Sequence, residues 1–289
     1  MTNGIDVSKH QGNIDWQKVK ASGVDFAMIR AGYGRFLTQK DSAFELNYLN
    51  AKKAGVKVGA YWYSYAKSVE DAKREADVFL KIIAGKQFEM PVAFDIEEKS
   101  QANKGKAFVS SLIKAFCERV ESAGYFVSVY ASKYWFDNYI DGECKQLYDT
   151  WLARWGASPD YNGKIGMWQN SSKGHINGIA GNCDTDVAYK DYPAIMRQYG
   201  LNGFEKQSAP KPPAGNKTLS AGTMVSLDNT PLYISATSKN PERRLTGTYY
   251  IYDGKEMNGR YRITSSVSRV NKRPISQNVT GYVKKSDII

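Results

Sequence analysis

Apolar and polar positions along residues 1–200 follow two alternating patterns, one typical of buried strands and one typical of amphipathic helices. Short apolar runs predict strands at 4–8, 26–31, 56–65, 91–97 and 125–131. The stretches between them carry apolar residues at helical spacing and predict helices at 15–22, 41–54, 68–84 and 103–123. A glycine follows each predicted helix, as is typical just past a helix end. This alternation predicts a parallel sheet with right-handed crossovers.

The remainder of this region keeps the strand pattern but loses most of the helices. Residues 133–148 are mixed and predict a short helix, and three further strands are predicted at 150–155, 164–170 and 183–189. Eight strands favour closure into an irregular TIM-like barrel, in which five β/α units are followed by three strands with few helices. A doubly wound open sheet is the alternative, but no GxGxxG follows the first strand.

The composition changes near Gly203. Residues 203–216 are rich in proline, alanine and polar residues, which is typical of a semi-rigid linker. Beyond Lys217, short alternating strands are broken by Asp253-Gly254 and Asn258-Gly259, which favour tight turns. We therefore expect a barrel at 1–200, a Pro-rich linker at 201–216 and a small all-β domain at 217–289.

Two acidic residues stand at the end of the strand predicted at 91–97. Side chains alternate along a strand, so Asp95 and Glu97 share one face and Glu98 points to the other. Adjacent buried carboxylates raise each other's pKa, and folding alone gives no reason to place them there. They are therefore candidate functional residues, and the alternative is a strand that simply ends in a polar loop.

The C-terminal ends of parallel barrel strands meet at one face, where active sites are built. Acids, aromatic rings and a few polar residues recur at these ends: Asp6, Arg30, Tyr61, Tyr63, Asp95, Glu97, Tyr130, Trp151, Arg154, Trp155, Trp168, Gln169, Asp184 and Asp186. Carboxylates among flat rings indicate a carbohydrate site. For any single ring, barrel packing is the alternative role. A hard cation with oxygen ligands is the alternative for the acids, but we expect neither a metal nor a cofactor.

Charge and cysteine content narrow the class of protein. The net charge is +11, of which residues 217–289 carry +7, so an anionic partner is expected: nucleic acid, a membrane surface or an acidic wall polymer. Three cysteines without CxxC spacing argue against a disulfide framework and a zinc site. His10 and His175 are interpreted as ordinary loop histidines. No apolar run reaches ~18 residues, so no transmembrane helix is predicted.

Several spaced segments of residues 1–195 together resemble glycoside hydrolase family 25, the Chalaropsis-type muramidases. The matching segments are Gly4-Ile5-Asp6-Val7-Ser8, Gln11-Gly12 with Ile14-Asp15-Trp16, Val24 to Arg30, Gly59-Ala60-Tyr61, Asp95-Ile96-Glu97, Trp151-Leu152-Ala153, Met167-Trp168-Gln169, and Gly178-Ile179 with Gly181 and Cys183-Asp184. The two-domain layout resembles a bacteriophage endolysin. Residues 217–289 resemble SH3-like wall-binding modules, on the segments GTMVSLDNTPLYIS and NGRYRIT.

The resemblance implies hydrolysis of the β-1,4 bond between N-acetylmuramic acid and N-acetylglucosamine in peptidoglycan. It implies that Glu97 is the general acid and that Asp95 orients the substrate's 2-acetamido group in a retaining, substrate-assisted route. Asp6 and Asp184 then set charge and position water. The spacing of Asp95 and Glu97, about 6.5–7 Å between Cβ atoms, does not by itself separate retaining from inverting chemistry.

The resemblance also implies the residues that bind the substrate: Arg30, Tyr61, Tyr63, Tyr130, Trp155, Trp168, Gln169 and Asp186. The family usually has Asp-hydrophobic-Asn where this chain has Asp184-Thr185-Asp186, so which of the two acids faces the cleft more directly stays open. A non-catalytic carbohydrate-binding barrel is the alternative function.

The basic residues 217–289 are expected to bind an anionic wall polymer or peptidoglycan. Nucleic acid is the less favoured partner, although six tyrosines beside Arg260 and Arg262 are compatible with a base-stacking surface. The first sixteen residues show no basic segment followed by an apolar one, so no signal peptide is expected. We expect a protein made in the host cytoplasm, not inserted in the membrane, that reaches the wall after membrane permeabilisation.

Overall fold

The computed structural model describes residues 1–206 and 219–288, and the chain forms two compact units, Met1–Gln207 and Ser208–Ile289. The first, the barrel unit, is a closed barrel of eight strands in sequential order. The strands are β1 (Thr2–Val7), β2 (Phe26–Tyr33), β3 (Lys57–Tyr63), β4 (Val92–Asp95), β5 (Val127–Ser132), β6 (Asp149–Ala153), β7 (Met167–Gly174) and β8 (Cys183–Ala188). The expected irregular barrel is therefore confirmed.

Helices follow most of the strands and cover the outside of the barrel. They are α1 (Trp16–Ala21), α2 (Phe44–Lys53), α3 (Val69–Ile83), α4 (Lys99–Ala102), α5 (Lys106–Ser122), α6 (Lys133–Asn138), α7 (Gly142–Leu147) and α8 (Tyr192–Tyr199). The helix predicted at 103–123 begins three residues later, because Gly105 has a φ of +84° and separates α4 from α5. Across residues 1–206 and 219–288, no helix is long and apolar enough to cross a membrane.

Strand β8 runs antiparallel to both of its neighbours, β7 and β1, whereas β1 to β7 pair in parallel. Our expectation that β8 presents its C-terminal end to the site is therefore wrong. The physical reason is that the connection from β7 to β8, residues 175–182, is shorter than the roughly dozen residues that a parallel crossover needs. A chain that returns without a crossover must reverse its direction in the sheet.

Alternating side chains divide each strand between two environments. Outward residues such as Ile5, Ile29 and Phe94 pack beneath the helices. Inward residues fill the barrel: Phe26, Met28, Ala93, Trp151 and Met167. Close packing here requires glycines on the neighbouring strands. A Cβ at Gly4 would lie 2.3 Å from the Phe26 ring, and one at Gly59 would lie 2.4 Å from Met28 Sδ.

The N-terminal end of the barrel is closed by α8, a helix that the sequence pattern did not predict. Tyr192 and Met196 of α8 are fully buried against the inward residues of the barrel. Asn202 follows and is also fully buried, where it accepts from the Phe126 amide at 2.7 Å and donates to the Met90 carbonyl at 2.8 Å. Residues 201–206, which we assigned to the linker, thus lie against the barrel. Residues 207–216 of that linker lie outside the described residues.

The second unit, here called the C-terminal unit, is an antiparallel half-barrel of four strands in the order β12-β11-β10-β9. Its elements are β9 (Met224–Leu232), β10 (Arg243–Met257), β11 (Arg260–Thr264), α9 (Ile275–Asn278) and β12 (Gly281–Lys284). The predicted Asn258-Gly259 turn joins β10 to β11, with φ values of +50° and +71°. The turn predicted at Asp253-Gly254 is instead an irregularity within β10, between Ile251 and Glu256.

Candidate active site

A cleft of about 240 Å³ opens at the C-terminal ends of the parallel strands. Its lining contains all four predicted catalytic acids and several of the predicted substrate-binding residues. These are Asp6, Arg30, Tyr61, Tyr63, Asp95, Glu97, Tyr130 and Asp184. Strand register explains their convergence, since Asp95 is the direct partner of both Tyr63 and Tyr130, and Asp6 is the direct partner of Asp184. Asp184 reaches the cleft from the N-terminal end of the antiparallel β8.

Asp95 is the last residue of β4, and its side chain lies on the inward face of the barrel. The residue is only 4% exposed, and burial raises the pKa of its carboxyl group well above its usual range. The charge of Glu97 raises it further, whereas Arg30 opposes the shift. Among the described residues, no group forms a hydrogen bond with the buried Oδ1 atom of Asp95. This oxygen is therefore available to a donor on a bound ligand.

Glu97 lies two residues beyond the end of β4, at the mouth of the cleft. Strand β4 is shorter than the strand predicted at 91–97. The Ile96 amide nevertheless donates to the Tyr130 carbonyl at 3.0 Å, which keeps the chain extended beyond the strand end. Glu97 therefore reaches the same cleft as Asp95. Its side chain contacts solvent, yet desolvation is the main cause of its raised pKa, followed by the charges of Asp184 and Glu98.

Glu98 has more contact with this region than its predicted outward direction implies. The Tyr63 hydroxyl donates to Glu98 Oε2 at 3.4 Å, and the Glu98 charge contributes to the raised pKa of Glu97. Glu98 is not itself part of the cleft lining. Its carboxylate thus acts on the cleft through a neighbouring tyrosine and through its charge.

Three aspartates from β1 and β8 form an acidic cluster: Asp6, Asp184 and Asp186. Burial raises the pKa of Asp6 well above its usual range, and the charges of Asp186 and Asp184 add to the shift. Burial likewise raises the pKa of Asp184, and that of Asp186 to about 7. The cluster therefore retains protons at pH values where exposed aspartates are ionised.

Gln169 and Trp151 hold this cluster in place from neighbouring strands. Gln169 Nε2 donates to Asp6 Oδ2 at 2.7 Å and lies 3.5 Å from Asp184 Oδ2. Trp151 Nε1 donates to Asp186 Oδ1 at 2.7 Å. Each of these two donors holds one carboxylate oxygen, so the orientation of the Asp6 and Asp186 carboxyl groups is fixed from within the barrel.

The other predicted substrate-binding residues do not line the cleft: Trp155, Trp168, Gln169 and Asp186. Asp186 and Gln169 are buried beneath it, where Gln169 Oε1 accepts from the Tyr130 hydroxyl at 3.1 Å and from Trp155 Nε1 at 3.0 Å. Trp168 alternates to the outer face of β7, and its Nε1 donates to the Arg154 carbonyl. Trp155 is an exposed residue tethered to Gln169.

Four lining residues were absent from the predicted site, namely Val7, Ser8, His10 and Gln11, whereas the strand-end residue Trp151 lines the cleft without having been assigned a substrate contact. The loop after β1 is shaped by a capping box, in which the Ser8 amide donates to Gln11 Oε1 at 2.9 Å and the His10 amide donates to Ser8 Oγ at 3.2 Å. The Ser-x-x-Gln spacing was visible in the sequence and would have found this loop. His10, interpreted as an ordinary loop histidine, is exposed at the cleft wall.

Asp186→Asn is expected to weaken the pH dependence of barrel stability. The folded-state pKa of Asp186 is raised from 3.8 to about 7, so its contribution to the free energy of unfolding is full below about pH 4 and is lost as the pH rises to about 7. Asparagine stays neutral and can still accept from Trp151. Between pH 4 and 7 the free energy of unfolding should therefore fall less in the variant than in the parent protein, by at most roughly 1.4 kcal/mol per pH unit.

Denaturant unfolding between pH 4 and 8 measures this difference. Tryptophan fluorescence reports on the barrel unit, because all six tryptophans lie between residues 16 and 168. Asp160→Asn, at an exposed aspartate of the same unit, is the matched control and should follow the parent protein. Parallel pH profiles for the parent and Asp186→Asn would show that Asp186 does not titrate in this range.

Comparison with known proteins relates this arrangement to one family. The profile of Glycosyl hydrolases family 25 matches residues 5–179. The chain is 33% identical to the autolytic lysozyme of Clostridium acetobutylicum over 186 residues, which cover 63% of this chain and 54% of that protein. It is 30% identical to lysozyme M1 of Streptomyces globisporus over 196 residues, covering 63% and 65%. The chain thus spans about half to two thirds of these relatives' length.

Solved structures show the same relation. The CTP1L endolysin superposes with a TM-score of 0.61 at 26% identity, covering 68% of this chain and 69% of that one. The bacterial lysozyme from Streptomyces coelicolor superposes with a TM-score of 0.57 at 28% identity, covering 65% and 92%. Since the family profile matches more than half of the residues, this chain belongs to family 25 of the glycosyl hydrolases.

Proposed function

We propose that this protein is an N-acetylmuramidase that cleaves the β-1,4 bond between N-acetylmuramic acid and N-acetylglucosamine in peptidoglycan. The observation that carries the proposal is the pair formed by Asp95 and Glu97 in an aromatic-walled cleft, with Asp95 Oδ1 buried and unpartnered within the described part of the chain. Relatives named as lysozymes support the substrate class.

Substrate binding assigns the two carboxyl groups different protonation states. In the free protein, burial raises the pKa of both Asp95 and Glu97. A 2-acetamido N–H that donates to Asp95 Oδ1 stabilises the carboxylate and lowers this pKa. The bound sugars also cover Glu97, which removes its solvent and raises its pKa. The proton therefore resides on Glu97 and the charge on Asp95 when the substrate is in place.

Bond cleavage follows in two steps. Glu97 gives its proton to the glycosidic oxygen as the C1–O bond of the muramic acid breaks, and the acetamido carbonyl oxygen attacks C1 from the opposite face. The product is a cyclic oxazolinium ion, whose N–H and positive charge are stabilised by the Asp95 carboxylate. Water then attacks C1, the Glu97 carboxylate accepts its proton, and the ring opens with the original β configuration at C1.

The surrounding residues position the substrate and control charge. Tyr61, Tyr63 and Tyr130 supply rings at the cleft wall, and Arg30 offsets part of the negative charge next to Asp95. Asp6 and Asp184 face the cleft from the acidic cluster and position water. Asp184 also raises the pKa of Glu97, which helps to keep the general acid protonated.

For the C-terminal unit we propose binding to an anionic wall polymer. Residues 217–289 carry a net charge of +7, and exposed cations among them include Arg243, Arg244 and Lys255. Nucleic acid is less favoured, because the tyrosines that suggested base stacking are partly structural: Tyr233, Tyr252 and Tyr261 are buried. Together with the similarity to the CTP1L endolysin, this charge favours a role in lysis of a host cell from within, after the membrane has been permeabilised.

Mass spectrometry of the products released from purified peptidoglycan tests the proposal. We expect fragments with reducing-end muramic acid. Reducing-end glucosamine or freed peptide would contradict muramidase activity, and tight binding without release would indicate a non-catalytic binder. The same walls, before and after removal of their anionic polymers, test the C-terminal unit: co-sedimentation of the full chain should fall after removal and should resist competition by DNA.

A further inference from the structure

A row of tyrosines leads out of the cleft at the ends of β2 and β3. Tyr63 lines the cleft and packs against Tyr65, with ring centroids 4.9 Å apart. Tyr65 in turn packs edge-on against Tyr33, with centroids 5.9 Å apart. Tyr65 is 48% exposed, and the other two rings are half-buried. We call these three residues the tyrosine shelf.

The backbone that carries Tyr65 is held from below by buried polar side chains. The Tyr65 amide donates to Glu75 Oε1 at 2.9 Å, and Gln101 Nε2 donates to Ser64 Oγ at 3.0 Å and to the Ala66 carbonyl at 3.1 Å. Ser64 and Ala66 are buried, whereas the ring between them is presented to solvent. A ring already held in one place loses little conformational entropy when it binds a partner.

The chemistry of the shelf suits a sugar chain. Tyrosine rings offer flat apolar faces to the C–H faces of sugars, and their hydroxyl groups offer hydrogen bonds at the edge. The shelf is also continuous with the cleft, because Tyr63 belongs to both. A polymer whose scissile bond lies at Glu97 therefore meets these rings as it leaves the cleft.

We propose that the tyrosine shelf is an additional saccharide subsite, which binds the peptidoglycan glycan strand beyond the two sugars whose bond is cleaved. The inference rests on the proposed muramidase function and deepens it. Its consequence is a preference for long glycan strands over short fragments, because only long strands reach from the scissile bond to Tyr65 and Tyr33.

Tyr65→Ala is expected to lower kcat/KM on long glycan strands by about tenfold, as the loss of one stacking contact of about 1.4 kcal/mol implies. The change should appear mainly in KM. Activity on the shortest fragment that the parent protein cleaves should stay unchanged. Tyr65→Phe keeps the ring and should restore most of the preference. Tyr199→Ala, at a 58% exposed tyrosine on α8, is the matched control and should alter neither substrate.

Binding to a catalytically impaired form separates this inference from the proposed function. In a Glu97→Gln background, Tyr65→Ala should weaken the affinity for long strands by about the same factor and leave short fragments unaffected. Equal effects on long and short glycans, or no effect on either, would overturn the shelf while muramidase activity stands. If the parent protein binds long strands without cleaving them, the proposed function fails, and the shelf stands when Tyr65→Ala still weakens the binding of long strands alone.

Discussion

Glu97→Gln is expected to lower kcat on purified peptidoglycan by at least about a hundredfold while leaving the protein folded. A general acid contributes roughly 10²–10⁴ to the rate, and glutamine has no proton to give to the leaving oxygen. The residue lies at the solvent-contacting mouth of the cleft, so the substitution removes a partly desolvated carboxyl without opening a cavity. Product release measured with and without the substitution, at equal folded concentration, checks this expectation.

Glu98→Gln is the matched control, because it changes the adjacent carboxyl group by the same chemistry. Its contact with the cleft is the Tyr63 hydroxyl, so activity should stay within a few-fold of the parent. Loss of the Glu98 charge also removes one cause of the raised pKa of Glu97. The alkaline limb of the activity profile, where Glu97 loses its proton, should therefore move to lower pH. Near-parent activity in Glu97→Gln would assign the proton donor elsewhere.

Local patterns predicted the barrel because local physics determines most of it. Alternation along β4 placed Asp95 on the inward face, and the register with β3 and β5 then brought it beside Tyr63 and Tyr130. Glycines after predicted helices marked true ends, as at Gly55 and Gly85, whose φ values are +76° and +72°. The alternation and the helix ends depend on neighbours in the sequence, which is why periodicity and capping were enough to find them. The register between strands is instead set by the closed barrel.

The direction of β8 depended on information that no local pattern carries. Both Asp184 and Asp186 were found, but by an incorrect route, because they were assumed to follow a parallel strand. The antiparallel β8 presents its first residues to the cleft, so Asp184 lies at the wall and Asp186 lies one layer deeper. Strand polarity follows from the length of the connection between β7 and β8, which is shorter than predicted because β7 extends to Gly174 instead of ending at 170. The missing helix was not a signal, since β6 and β7 are also joined without one and pair in parallel.

Two further differences come from tertiary burial. Helix α8 carries ordinary end signals, an N-cap at Asp191 and the left-handed Gly200, but it lies beside the segment that composition marked as a linker. Gln169 was expected to contact the substrate, whereas its amide group holds Asp6 from beneath the cleft. The depth of a polar residue in the barrel decides whether it contacts the ligand or supports another side chain. The alternation along a strand shows which face a side chain occupies, but not how far below the cleft it lies.

Asp95→Asn is expected to reduce activity by about a hundredfold or more, for a different reason from Glu97→Gln. Asparagine can still accept a hydrogen bond at Oδ1, but it cannot neutralise the positive charge that develops on the oxazolinium ion. Preorganised charge in a buried site typically contributes a few kcal/mol to the transition state, which corresponds to this factor. The measurement is kcat on intact glycan, together with inhibition by a thiazoline analogue of the cyclic intermediate. The parent should be inhibited strongly and Asp95→Asn weakly.

Stability separates this catalytic explanation from a structural one. The folded-state pKa of Asp95 is raised, so its contribution to the free energy of unfolding is full below its unfolded pKa and is lost as the pH rises through the folded value. A neutral asparagine avoids that loss, so the variant should be at least as stable as the parent at neutral pH while being nearly inactive. A stable variant with retained activity would instead favour an inverting pair of Glu97 with Asp6 or Asp184, in which the aspartate activates the water. Those two aspartates are paired on β1 and β8 and line the same cleft.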